Sequence, residues 1–134
     1  MKSQYEKKRL INFDRIKIKS NYKYLLNTKV KFNEMFHSRS GEKIGIFYSS
    51  KDDINIPYNL YIAVSYIKQT LTLEFSSKIL KEKYPDLISR DTIKECLTNI
   101  NQLHICDIDV DSILSNGAIT SVDVTYDANL ILSD

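Results

Sequence analysis

Between Asn59 and Ser76 the chain reads NLYIAVSYIKQTLTLEFS, two strand-like runs on either side of a short polar break. In TLTLEFS, Leu71, Leu73 and Phe75 alternate with Thr72 and Glu74, the period of two that belongs to a strand with one buried face. NLYIAVSYI is dense in β-branched and aromatic residues, as a central strand is. The break near Lys68-Gln69 is too short for a crossover, so the two runs are predicted to form an antiparallel hairpin. A sheet that is apolar on one side must be covered on that side, and this requirement organises the reading of the rest.

FDRIKIK at 13–19 alternates in the same way, with Ile16 and Ile18 opposite Arg15, Lys17 and Lys19. KIGIFYS (43–49) reads as a strand and KDDINIP as a turn closed by Pro57. Residues 20–42 fit either a short helix or a strand pair, with HSRSGE as a loop. At Ser76-Ser77 the period changes. The first serine is predicted to cap a helix through SKILKEKY that Pro85 stops. A longer helix is expected from Ser89 or Asp91, because Ile93, Cys96 or Leu97, Ile100 and Leu103 recur at three- and four-residue steps. Asp109 or Asp111 should cap a short helix through SILS. Asn116-Gly117 should end it in a left-handed conformation, and AITSVDVTYDANLIL reads as a last strand. The predicted class is α+β, an antiparallel sheet with two or three helices packed on one face. Residues 1–10 are read as a flexible basic arm and 11–134 as one domain. NLILSD shows no helix stop or polar tail, which suggests the N-terminal domain of a longer protein.

No apolar run approaches the roughly 20 residues that a membrane helix needs, and MKSQYEKKRL has no apolar stretch behind its positive start. The expected location is the cytoplasm, with no membrane partner. Cys96 and Cys106 stand apart from any CxxC pattern and read as small core residues. His37 and His104 lack a nearby second ligand, and the three glycines, Gly41, Gly45 and Gly117, form no phosphate loop. Asp107-x-Asp109-x-Asp111 fails as a calcium loop, because Ser112 and Ala118 occupy the positions that need glycine and glutamate.

Charge is divided along the chain. Residues 1–31 hold ten Lys and Arg against Glu6 and Asp14, whereas after Lys94 there is no Lys or Arg at all. The first end is suited to a polyanion and the second to a cation. Arg15, Lys17 and Lys19 on one strand face, followed by Tyr22 and Lys23, combine phosphate-binding cations with rings that stack on bases. That combination suits single-stranded nucleic acid. The competing reading is a lysine-rich edge strand that guards against aggregation. In SVDVTYDA, Asp123 lies within a strand run, where a carboxylate needs a partner or a cation. Asp127 would stand about 14 Å along a straight strand, too far to share a metal with it.

LTLEFSSKILKEKYPDLISRDTIKECLTNINQL, followed after a spacer by ITSVDVTYDANL, resembles the start of phage and plasmid replication proteins of the gene II/X type. Members show a hairpin ending in an EFS-like sequence, a helical stretch, and a strand with an Asp-Val-Thr core like Asp123-Val124-Thr125. The likeness covers roughly residues 60–130, and FDRIKI weakly matches the family's opening strand. It implies rolling-circle initiation, in which a tyrosine attacks a phosphodiester of origin DNA with a divalent metal, Mg or Mn, assisting. Asp123 sits where the family shows its metal-holding aspartate. The catalytic tyrosine and its following lysine would lie beyond Asp134, so no catalytic residue is assigned within the chain. Tyr5 with Lys8 and Tyr48 with Lys51 fit only a loose form of that motif. The other reading is a non-enzymatic domain whose acidic C-terminal half meets a protein partner.

Overall fold

The alternating runs become strands wherever their apolar set can face a common core. In the computed structural model, which describes residues 13–124, the chain is α+β. It contains β1 (Phe13–Asn21), a 3-10 turn (Tyr22–Tyr24), β2 (Leu25–Thr28), β3 (Asn33–Phe36), β4 (Lys43–Ser49), β5 (Leu60–Ser65) and β6 (Thr70–Ser76). A 3-10 stretch (Ser77–Asp86), α1 (Ile93–Gln102), β7 (Cys106–Ile108), α2 (Val110–Asn116) and β8 (Ala118–Val124) complete the order. Among the described residues, six strands pair antiparallel in the order β3-β4-β5-β6-β1-β8, and β2 pairs with β7 separately.

The predicted hairpin is β5–β6, with Gln69 left-handed at φ 56° in its turn. Its register sets Ile62 opposite Leu73, and on the far side of β6 Leu73 faces Ile18. Rows of this kind make the inner layer: Tyr48, Ile62, Leu73 and Ile18 in one, Leu60, Phe75 and Ile16 in the next. Against this layer pack Ile79, Leu80, Ile88, Cys96, Leu97, Ile100, Ile105, Cys106, Ile108 and Ile113, all in the same core. Helices, 3-10 stretch and small sheet therefore share one side, as the apolar stripes require. Ile93 is half-buried at the margin of that core, and so is Leu103.

Three local expectations give way to the structure. Ser76 makes no capping bond, and the chain beyond it forms a 3-10 stretch broken at Lys81, which takes φ 60° and ψ −122°. Pro85 lies inside that stretch instead of ending a regular helix. α1 opens at Ile93, its first turn prepared by Ser89 and Thr92: Ser89 N–H donates to Thr92 Oγ1 at 2.9 Å, and Thr92 Oγ1 donates to the Leu87 carbonyl at 2.8 Å. Gly117 ends α2 at φ −80°, outside the left-handed region. Glycine is needed there for another reason, since a Cβ would stand 3.0 Å from Ile18 Cγ2 and against the Ile113 carbonyl oxygen. Asp109 does cap α2, accepting from Ser112 N–H at 3.2 Å.

The ambiguous 20–42 segment resolves into the 3-10 turn and the short strands β2 and β3. β7, which sequence periodicity did not show, is held on one side by β2 and on the other by a side chain. Asn101 donates from Nδ2 to the Ile108 carbonyl at 3.1 Å, and its Oδ1 accepts from Ile108 N–H at 2.7 Å. The amide group thus stands in for the missing neighbouring strand.

Leu73 and Leu97 lie at the centre of the core, 1% and 0% exposed. Replacing either with Ala should cost roughly 2–5 kcal/mol in denaturant unfolding; losses under about 1 kcal/mol at both would contradict this core. Burial pushes the thiols of Cys96 and Cys106 up to about 12, far from the thiolate range at neutral pH. Both should therefore resist a thiol reagent in native protein and react at once in denaturant. Rapid labelling of the native chain would place them elsewhere.

Candidate nucleic-acid interface

Because each strand alternates, burying one face fixes which residues occupy the other. Cross-strand register lays out the outer face as rows. One row runs Ser49, Tyr61, Glu74, Lys17; the next runs Phe47, Ala63, Thr72, Lys19; a third sets Asn59 beside Ser76 and Ser76 opposite Arg15. Among the described residues, no helix or strand covers this face.

Lys19 is exposed and Lys17 half-buried, on β1, which β6 separates from the strands β4 and β5 that carry the aromatic pair. The Phe47 and Tyr61 rings are tilted by 32° with centroids 6.1 Å apart, the spacing of a favourable aromatic contact. Both are half-buried, so part of each ring faces solvent. Ala63 and Thr72 between them and Lys19 leave the surface low. Glu74 separates Tyr61 from Lys17 and, directly across from Lys17, offsets part of that charge. Lys19 faces Thr72 instead, so it is the less compensated cation of the two.

β1 lies between β6 and β8 and is no edge. The reading of Lys17 and Lys19 as guards of a sheet edge is therefore overturned, since both sides of β1 are already paired. Arg15 stands opposite Asp123 in the β1–β8 register and is engaged by an interaction within the chain. The backbone register thus sets the position of the metal candidate Asp123 across from that of Arg15. Among the described residues no group of three or more His, Cys, Asp or Glu is gathered as a metal ion would require. Asp127 and the arm at 1–10 lie outside the described residues.

Tyr22 and Lys23 are not brought to the same face. Tyr22 packs at the margin of the core and donates its N–H to the Gln69 carbonyl at 3.1 Å. With Lys23 it lines a separate cleft of about 400 Å³, whose floor includes Ile46 and Val64 of the inner face. The strand alternation ends at Asn21, whose side chain accepts from Lys23 N–H at 2.9 Å and starts the 3-10 turn. The basic run in sequence is therefore split between the two sides of the sheet.

Sequence reasoning missed Phe47 and Tyr61 as a site. The signal was the outward phase of KIGIFYS and NLYIAVSYI, where an aromatic residue falls on the polar face of each strand. No family model, curated protein or solved structure matches this chain. No helix among the described residues is long and apolar enough to cross a membrane.

Proposed function

We propose that this chain is a single-stranded DNA-binding domain that presents the open face of its sheet to the strand. The observation that carries the reading is that the Phe47–Tyr61 ring pair and the cations Lys17 and Lys19 share one sheet face, which no helix or strand among the described residues covers. Flat antiparallel surfaces with exposed rings accept unstacked bases, because every base has a π-face. Lysines farther along the same face take the phosphates. Each stacked base contributes on the order of 1–3 kcal/mol, so two rings supply more than the lysines retain at physiological salt.

The resemblance to gene II/X-type initiators gives this binding a setting. In that setting the domain is the N-terminal part of a rolling-circle replication initiator and holds origin DNA. A tyrosine further along the chain carries the nicking chemistry, with Asp123 contributing to a Mg or Mn site. The alternative, a protein-interaction domain using the acidic C-terminal half, has less support from geometry. Asp107 is drawn into a local arrangement with Asn27 and Lys29, which holds its carboxyl below the usual range, and Asp109 is committed to the α2 cap.

The test is anisotropy of a labelled oligothymidylate at several salt concentrations. Two lysine contacts predict a slope of about −1.4 in log K against log salt. Lys17→Ala with Lys19→Ala should remove most of that slope. Phe47→Ala with Tyr61→Ala should weaken binding by roughly a hundredfold and leave the slope alone. Equal loss of slope in both double variants, or no binding at low salt, would refute the sheet as the interface.

A further inference from the structure

The serine that sequence reasoning assigned to a helix cap has a side-chain hydroxyl without a hydrogen-bond partner. Ser76 Oγ and Asn59 Nδ2 are both buried polar atoms with no partner. An unmatched buried donor costs on the order of 1–3 kcal/mol, and two side by side in one place call for a reason. They are neighbours: Ser76 N–H donates to the Asn59 carbonyl at 3.2 Å, where the β5–β6 pairing ends.

Both residues line a cleft of about 530 Å³ between the 50–59 loop and the end of β6, together with Ser50, Tyr58, Lys51 and Lys78. Lys51 and Lys78 are exposed and, among the described residues, neither carries an ion pair. The rim is fixed. Ser50 Oγ donates to the Tyr58 carbonyl at 2.7 Å and accepts from Leu60 N–H at 2.9 Å. Tyr48 O–H donates to Asp53 Oδ2 at 2.9 Å, and Asp53 Oδ1 accepts from Asn55 N–H at 2.9 Å. The loop's inner acid is thereby committed to its own turn.

We infer that this cleft is an anion site that takes a phosphate group. Two ammonium groups at the mouth and two unmet donors in the wall match a tetrahedral dianion or a phosphodiester, whose oxygens accept from several directions at once. Reaching a ligand in the cleft requires the buried Ser76 hydroxyl and Asn59 amide to turn toward it. An apolar ligand would leave both donors unmet, and a cation would face two lysines. The site rests on the nucleic-acid reading for its biological source. Asn59 lies two residues before Tyr61, about 7 Å away along the strand direction. A strand stacked on the Phe47–Tyr61 pair therefore carries its next phosphate to this cleft.

The experiment is a 1H–15N NMR titration of the chain with three probes: inorganic phosphate, an oligothymidylate with a 5′-hydroxyl, and the same oligomer with a 5′-phosphate. Inorganic phosphate should saturably shift the Asn59 side-chain amide and the backbone amides of 76–78. Lys51→Ala with Lys78→Ala should weaken that binding about tenfold. Ser76→Ala should also weaken it while leaving the fold intact, since it removes a hydroxyl that bonds to nothing. Shifts from the 5′-phosphorylated oligomer alone would make the ligand a strand terminus; shifts from both oligomers would make it an internal phosphodiester. If none of the probes moves these signals, or if the double lysine variant responds like the parent, the site is refuted. Oligomer binding that depends on Phe47 and Tyr61 but ignores Lys51 and Lys78 removes the cleft and keeps the sheet. Phosphate shifts without oligomer binding do the reverse.

Discussion

Ile62 and Leu73 face each other across the β5–β6 pair, with Tyr48 and Ile18 completing their row and α1 packed in the same core. Burial of this row and its neighbours is what the remaining elements depend on. Apolar side chains at 0–2% exposure contribute roughly 1.5–3 kcal/mol each, far more than any of the surface ion pairs, whose partners are 34–86% exposed. Once the inner rows are fixed, the period of two fixes the outer rows as well. The face that becomes a candidate interface is thus a by-product of the face that becomes the core.

Polar groups settle the places that apolar burial leaves open. Asn101 completes the pairing of β7, Asn99 donates to the Ile79 carbonyl at 3.0 Å and steadies the 3-10 stretch, and Ser50 ties the 50–59 loop to β5. Each satisfies backbone groups that have no strand or helix partner. Ser76 and Asn59 break this pattern, and they do so in a cleft bordered by lysines. Among the described residues Ser20 Oγ is also unmatched, but it stands alone, whereas Ser76 and Asn59 place two unmet groups at one spot, where a single ligand would relieve both.

The two proposed sites differ physically. Rings on the sheet offer contact that tolerates sequence and salt. The cleft offers a few directed, charge-assisted bonds that depend strongly on both lysines. Together they would fix a strand's position at one end while leaving its bases readable only by stacking. That suits holding a single strand rather than reading it.

The hairpin, the apolar stripe of α1 and the α+β class were legible in the sequence, because Leu71, Leu73 and Phe75 at period two, and Cys96, Leu97 and Ile100 at helical spacing, have only one way to bury themselves. A carboxylate cap on α2 was legible as Asp109 or Asp111, because a side-chain oxygen can meet the unpaired N–H groups of a first turn, and the structure uses Asp109. Position within the sheet was not. Whether β1 is an edge depends on β8 arriving from the other end of the described chain, and sequence periodicity carries no information about neighbours. Nor did the sequence separate Tyr22 and Lys23 from Lys17 and Lys19. A 3-10 turn starting after Asn21 carries them round to the other side, although they come within a few residues. The pairing of Phe47 with Tyr61 and the isolation of Ser76 beside Asn59 arise from register between strands. Register is set by long-range burial, so only the tertiary structure could decide them.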